Sequence, residues 1–173
     1  MADVIPPLAP HGYADVVAHY GDPKIQMLPT GWTVDPAWES ANCVTVQHGL
    51  LPRGKLYCHR LVATPLLRLL DRWSARIQAG DPFRVKTLGC FAPRAQRGSN
   101  GLVPSMHTFA IAFDLNANDN LLVTNVSPGI NRKGLAKTIP DAWIADAEAE
   151  GWFWGGNFQT QWDPMHFQLA TGV

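Results

Sequence analysis

Two short apolar stretches interrupted by ionisable residues constrain this chain most. Residues 105–114 read Ser-Met-His-Thr-Phe-Ala-Ile-Ala-Phe-Asp, and residues 162–167 read Trp-Asp-Pro-Met-His-Phe. Together they supply two histidines and two carboxylates in apolar surroundings. That set matches the needs of a catalytic zinc site: three protein ligands, an open position for water, and a carboxylate to take the water's proton.

The reading makes a demand of the fold. Ligands of one ion must lie within about 3–4 Å of each other, whereas seven fully extended residues would separate His107 from Asp114 by roughly 23 Å. The chain must therefore fold back between them, with His107 on a turn or loop and Asp114 on a strand. Pro104 and Ser105 suit such a turn. His166 offers a third ligand from a separate segment. Asp163, three residues earlier, would stand beside the ion as general base. Pro164 fixes its own φ and biases Asp163 toward an extended conformation, and an aspartate with an ordinary pKa near 3.9 is ionised at neutral pH. Weighed singly, a histidine in an apolar strand is more often a satisfied core or surface residue, and an Asp-Pro pair is usually a turn. Spacing alone leaves both readings open.

The remaining sequence bounds the architecture. A chain of 173 residues suits one domain with a proper core, and 46% hydrophobic against 16% charged residues is an ordinary globular composition. Lys+Arg and Asp+Glu balance at 14 each, so no electrostatic argument favours a nucleic acid or an anionic membrane as partner. The three cysteines (Cys43, Cys58, Cys90) form no CxxC pair and read as reduced, partly buried thiols. The first ten residues contain three prolines and no Lys or Arg, unlike a secretory signal, and read as an extended arm. No apolar run is long enough to insert in a membrane. The expectation is cytoplasmic synthesis, with release to the site of action by other means.

Along the chain, residues 11–20 read as a short helix stopped at Gly21. Residues 22–42 read as an ordered irregular loop, and 43–48 as a strand. The clearest helix covers 60–79, where Leu61, Leu66, Leu69, Leu70, Trp73 and Ile77 recur at helical spacing. Residues 83–88, 109–115 and 165–170 read as strands, 93–104 as a polar loop, and 140–150 as a second helix. Mixed elements without βαβ alternation predict an α+β domain, a small antiparallel sheet flanked by helices with the zinc site at the sheet. The motif-bearing core spans about 60–170.

The pattern Ser105-x-His107-x(6)-Asp114 followed by Asp163-x-x-His166 resembles the family of D-alanyl-D-alanine carboxypeptidases and L-alanyl-D-glutamate endopeptidases, zinc peptidases that include wall carboxypeptidases and phage endolysins. Phe91-Ala92-Pro93-Arg94 looks like the family's aromatic-x-x-Arg stretch. Gly151-Trp152-Phe153-Trp154-Gly155-Gly156 is similar to a segment of its endolysin-like branch. The resemblance implies one zinc ion held by His107, Asp114 and His166, Asp163 as general base, and Arg94 as oxyanion-stabilising and substrate-binding residue. Arg97 is a second candidate for that job, and Ser105 would brace the His107 turn or bind substrate. Two positions depart from the family pattern: Ala110 stands where the family has glycine, and Gln168 where many members have glutamate. No role is assigned to Gln168.

The expected activity is cleavage of an amide bond in peptidoglycan stem peptides or cross-links, by a monomeric endolysin released through a holin. The alternatives are a catalytically silent zinc-fold binding or structural module of a phage particle or cell wall, and a zinc hydrolase for a non-wall amide. Trp143, Trp152, Trp154 and Trp162 could wall a cleft, but core packing is the expectation. His11, His19, His48 and His59 show no ligand spacing.

Overall fold

The structure, a computed structural model, describes residues 9–96, 103–124, 126 and 137–173. Most of the N-terminal arm, Arg97 and part of the 93–104 loop lie outside the described residues. Helix α1 (Tyr13–Tyr20) ends at Gly21, as read from sequence. Residues 22–42 depart from the expected irregular loop: they hold the hairpin β1 (Gln26–Leu28) and β2 (Gly31–Thr33), then helix α2 (Pro36–Asn42). Local chemistry starts that helix. The Asp35 carboxylate accepts a hydrogen bond from the Ala37 N–H (2.9 Å), and Pro36 occupies the first helical position, where its missing N–H costs nothing.

Strands β3 (Cys43–Gln47) and β4 (Lys55–His59) form a second antiparallel hairpin. Helix α3 (Ala63–Gln78), preceded by a 3-10 turn at 60–62, buries Leu66, Leu69, Leu70 and Trp73 at three- and four-residue intervals. Then follow β5 (Leu88–Gly89), β6 (Ala112–Leu115), β7 (Val123–Thr124), helix α4 (Asp141–Ala149), β8 (Phe153–Trp154), β9 (Gln161–Trp162) and β10 (His166–Gln168). The principal sheet has the order β5-β6-β10-β8, antiparallel throughout, while β7 pairs with β9. The architecture is the expected α+β, a small antiparallel sheet with helices against it.

Two strands are shorter than their apolar runs suggest. In the 83–88 run only Leu88 joins the sheet, because the Asn116 side chain engages the preceding backbone: its amide oxygen accepts from the N–H groups of Lys86 and Thr87, and its NH2 donates to the Arg84 carbonyl. In the 109–115 run the strand begins only at Ala112, since residues before it turn.

One face of β6 and β10 faces the core, where Phe113 stacks on Phe167 with centroids 5.1 Å apart and Trp152 lies edge-on to Phe113 at 4.7 Å. Trp73 of α3 stacks on Trp143 of α4 at 5.0 Å. Trp143, Trp152 and Trp162 are buried, so these three pack the core as expected. Outside that seam, Arg68 and Arg72 both reach the buried Glu150 (2.7 and 2.6 Å), and Arg76 pairs with Asp146. Among the described residues, no helix is long and apolar enough to cross a membrane.

Candidate metal centre and active site

The pleat sends alternate side chains of a strand to opposite faces. With Phe113 and Phe167 turned inward, their neighbours Asp114 and His166 point to the other face. These two are direct cross-strand partners in the β6–β10 register. Gln168, two residues beyond His166, shares that face.

His107 reaches the same place from a turn. The Ile111 N–H bonds to the Met106 carbonyl (3.3 Å) and the Ala110 N–H to the His107 carbonyl (3.1 Å). These nested six-to-one and five-to-two bonds are the Schellman arrangement that ends helices, in which the penultimate residue adopts left-handed φ and the residues at its two ends are apolar. Ala110 is that residue, with φ of 56°, and Met106 and Ile111 are both buried. The turn therefore asks for glycine and holds alanine, at a cost of about 1–2 kcal/mol for the left-handed conformation. The fold-back required between His107 and Asp114 is made by this turn and the start of β6.

The result is a compact triangle. His107 Nε2 lies 3.2 Å from Asp114 Oδ1 and 3.1 Å from His166 Nδ1, which is itself 3.1 Å from Asp114 Oδ1. Tetrahedral ligands at bonds of about 2.0 Å stand about 3.3 Å apart, so the three atoms fit one small ion, and this group could hold a metal. Their partners reinforce the fit. His107 Nδ1 lies 2.7 Å from the Cys90 carbonyl, an acceptor only, so Nδ1 carries the hydrogen and Nε2 keeps a lone pair. His166 Nε2 donates to Gln168 Oε1 (2.9 Å), which leaves Nδ1 as the free base. Gln168 cannot flip without loss, because its NH2 donates to the Ala170 carbonyl (3.0 Å). The same two ring nitrogens can alternatively carry protons: burial pushes the Asp114 carboxyl up in pKa, but hydrogen bonds and charge from the histidines in that protonated form outweigh this and hold it well below the carboxylate range. Burial works to lower the His166 pKa, and the bond to Asp114 with the nearby Asp114 and Asp163 charges raises it overall.

Asp163, Arg94 and Ser105 line one cleft with Asp114 and His166. Asp163 sits in a turn closed by the His166 N–H to its carbonyl (3.1 Å), and its own N–H bonds to the Gly155 carbonyl (3.2 Å). Trp154 is half-buried; its indole donates to the Pro164 carbonyl (2.9 Å), pinning the Asp-Pro unit from the other side. The Gly155-Gly156 pair is dictated by crowding. A Cβ on Gly155 would meet the Asp163 carbonyl oxygen at 2.5 Å, and one on Gly156 would enter the Trp154 ring at 2.2 Å. Arg94 is fixed through its backbone, since the buried Thr108 hydroxyl accepts from its N–H (2.9 Å) and donates to its carbonyl (2.8 Å). The Ser105 hydroxyl faces the His107 N–H at 3.4 Å, and its carbonyl accepts from the Thr108 N–H at 2.8 Å. It thus braces the turn.

Sequence reasoning missed Gln168, the Cys90 carbonyl and Thr108. A polar residue two places after His166 on a strand was the available signal for the first. The thiols stand apart from the centre chemically: Cys43, Cys58 and Cys90 are all buried and free, and burial pushes Cys43 up to about 11 and Cys58 to about 12. Among the other histidines, His48 pairs with Asp71 at 3.1 Å and His59 is a buried cap of the turn before α3.

An α+β domain that sets a His/Asp/His group in a cleft beside a further carboxylate and an arginine has the make-up of a metal-dependent hydrolase. Residues 97–169 match the model of the D-alanyl-D-alanine carboxypeptidase family, so this segment is similar to that family of peptidases. The matched stretch contains His107, Asp114, Asp163, His166 and Gln168; Arg94 lies just before it. No curated protein and no solved structure matches the chain significantly.

Proposed function

We propose that this protein is a zinc-dependent peptidase that cuts an amide bond in the stem peptide or cross-link of peptidoglycan. The observation that carries the reading is the triangle of His107 Nε2, Asp114 Oδ1 and His166 Nδ1, in which each imidazole lone pair is left free by the partner on the far side of its ring. These three atoms would hold one zinc ion. Bound there, zinc would polarise the scissile carbonyl and bring the pKa of water down to about 7.

The protein's own groups do the rest. Asp163 is held rigidly between Gly155, Pro164 and His166, and in the proposed role accepts the proton of the attacking water and returns it to the leaving amine. Arg94 presents a permanent positive charge to the cleft, suited to the oxyanion that develops on the substrate carbonyl or to a substrate carboxylate. Ser105 keeps His107 in place and borders the path of the substrate; Arg97, three residues after Arg94, is the second candidate for holding the substrate. Burial of the histidines at the sheet face limits access of bulk water and strengthens these electrostatic effects. The likeness of residues 151–158 to the endolysin-like branch supports the role of a monomeric phage or prophage wall-lytic enzyme reaching its substrate through a holin.

The test is mass spectrometry of fragments released from purified sacculi, with Asp163→Asn and chelated protein as controls. New peptide termini that disappear in both controls are expected, and their identity distinguishes L-Ala–D-Glu, D-Ala–D-Ala and cross-bridge cleavage. A protein that holds one zinc ion and releases nothing would refute the peptidase reading in favour of a silent binding module.

A further inference from the structure

A second groove, of about 740 Å³, lies between β4 and β5, within the size range of ligand-binding clefts. Two free strand edges border it. In β5, Gly89 is the partner of Asp114, and the Asn116 N–H bonds to the Thr87 carbonyl (2.9 Å), so the intervening Leu88 turns its N–H and C=O away from β6. Strand β5 is the last in its sheet. In β4, the His48 N–H bonds to the Gly54 carbonyl (3.1 Å), which makes Lys55, Tyr57 and His59 the residues whose backbone groups face away from β3. The His59 N–H accordingly bonds to the Ala110 carbonyl (2.9 Å), while Lys55 and Tyr57 border the groove.

Its lining carries Arg53, Lys55 and Lys86 and no carboxylate, in a chain whose charges balance overall. Asp119 pairs with Lys86 at 2.8 Å, and Glu39 lies at the Tyr57 hydroxyl. Among the described residues, no carboxylate is within ion-pair distance of Arg53 or Lys55, both exposed. The groove also abuts the metal centre, since Gly89 in its wall is the sheet neighbour of Asp114. Gly89 has open space where a side chain would stand.

We infer that this groove takes an extended, carboxylate-bearing peptide as an added strand between β4 and β5, with Arg53 and Lys55 pairing its carboxylates. Backbone groups of Lys55, Tyr57 and Leu88 supply strand hydrogen bonds, the chemistry by which free sheet edges capture peptides. Resting on the proposed wall peptidase, the occupant is an acidic stem peptide lying outside the scissile bond, so the groove extends recognition beyond the metal cleft.

The experiment titrates the full, zinc-loaded Asp163→Asn protein with a soluble stem peptide prepared from sacculi, followed by amide NMR and calorimetry. Shifts are expected at Lys55, Tyr57 and Leu88. Arg53→Gln/Lys55→Gln, or amidation of the peptide carboxylates, should weaken Kd about 3- to 10-fold. A peptide N-methylated at alternate amides should also bind less well to the protein with both cations intact, a loss that no misfolded variant could produce. Shifts confined to cleft residues, unchanged affinity in the double variant, or tighter binding of poly(glycerol phosphate) than of peptide would each overturn the inference. The readout is binding, so a peptide that docks here on a protein that releases nothing from sacculi would refute the proposed activity alone.

Discussion

Replacing Gln168 with methionine separates an orienting role from a merely structural one. Gln168 accepts from His166 Nε2–H at 2.9 Å and donates to the Ala170 carbonyl at 3.0 Å, and it is 2% exposed. Methionine keeps the length and apolar bulk but offers neither a strong acceptor nor a donor. Two costs follow. A buried N–H and a buried carbonyl lose their partners, worth about 1–3 kcal/mol each when fully unsatisfied, and this lowers the stability of the metal-free fold. Separately, nothing then fixes the hydrogen on Nε2, so the ring can place it on Nδ1, the atom in the ligand triangle. Loss of an outer partner of a histidine ligand lowers metal affinity about 10- to 100-fold, or about 1.4–2.7 kcal/mol. Gln168→Glu provides the discriminating control. It retains an acceptor for His166 but sets a carboxylate against the Ala170 carbonyl, so it should lose stability and keep zinc affinity. Zinc affinity is read by competition with a chromophoric chelator at fixed pH and salt, and stability by urea unfolding of the metal-free protein. If Gln168→Met binds zinc as tightly as the natural protein, or if both variants lose affinity equally, Gln168 does not set the His166 tautomer.

Gly155→Ala places a Cβ 2.5 Å from the Asp163 carbonyl oxygen and 3.0 Å from the His166 Cβ. An overpacking cost of about 1–3 kcal/mol is expected, with kcat on a stem-peptide substrate falling about 100-fold as Asp163 shifts; circular dichroism beside the kinetics checks that folding is retained. Ala110→Gly relieves the left-handed strain but adds about 0.5–1 kcal/mol of backbone entropy and removes a buried methyl worth about 0.8 kcal/mol. Its stability should therefore stay within about 1 kcal/mol of the natural protein, whereas Ala112→Gly in β6, with no strain to relieve, should cost about 1.3–1.8 kcal/mol by the same unfolding assay. His59 is fully buried between the Tyr20 carbonyl and the Leu61 N–H, and burial pushes its pKa down to about 4. The unfolded chain takes up this proton near pH 6.5 and the folded chain only near 4, so stability falls as pH drops through that window, by about 2–3 kcal/mol. The difference in urea stability between the natural protein and His59→Gln, measured at pH 7 and 4.5, should change by that amount; no change would refute the assignment.

What the sequence discloses here follows the physical origin of each feature. Helix α3 is legible because sixteen residues repeat a buried stripe, and α4 because its apolar residues end at glycine. The hairpin β1–β2 and helix α2 are not, since three-residue strands have no measurable period and a helix begun by Asp35-Pro36 looks like a loop rich in breakers. Strand lengths fail for a related reason: the apolar run at 109–115 is continuous, but its first part is a turn whose signal would be glycine, and Ala110 hides it. The candidate site shows the same division. Residue types with metal chemistry announce themselves, and the distance argument between His107 and Asp114 already requires a reversal of the chain. The groups that hold them in place do not, because a carbonyl such as that of Cys90 has no residue-type signature at all. Gln168 reads as any polar strand residue until the pleat sets it on the His166 face and the Ala170 carbonyl fixes which end of its amide looks inward. The positioning of this site is thus largely the work of backbone groups and tight turns. For that reason, crowding the turn at Gly155 should test the mechanism as sharply as removal of a ligand.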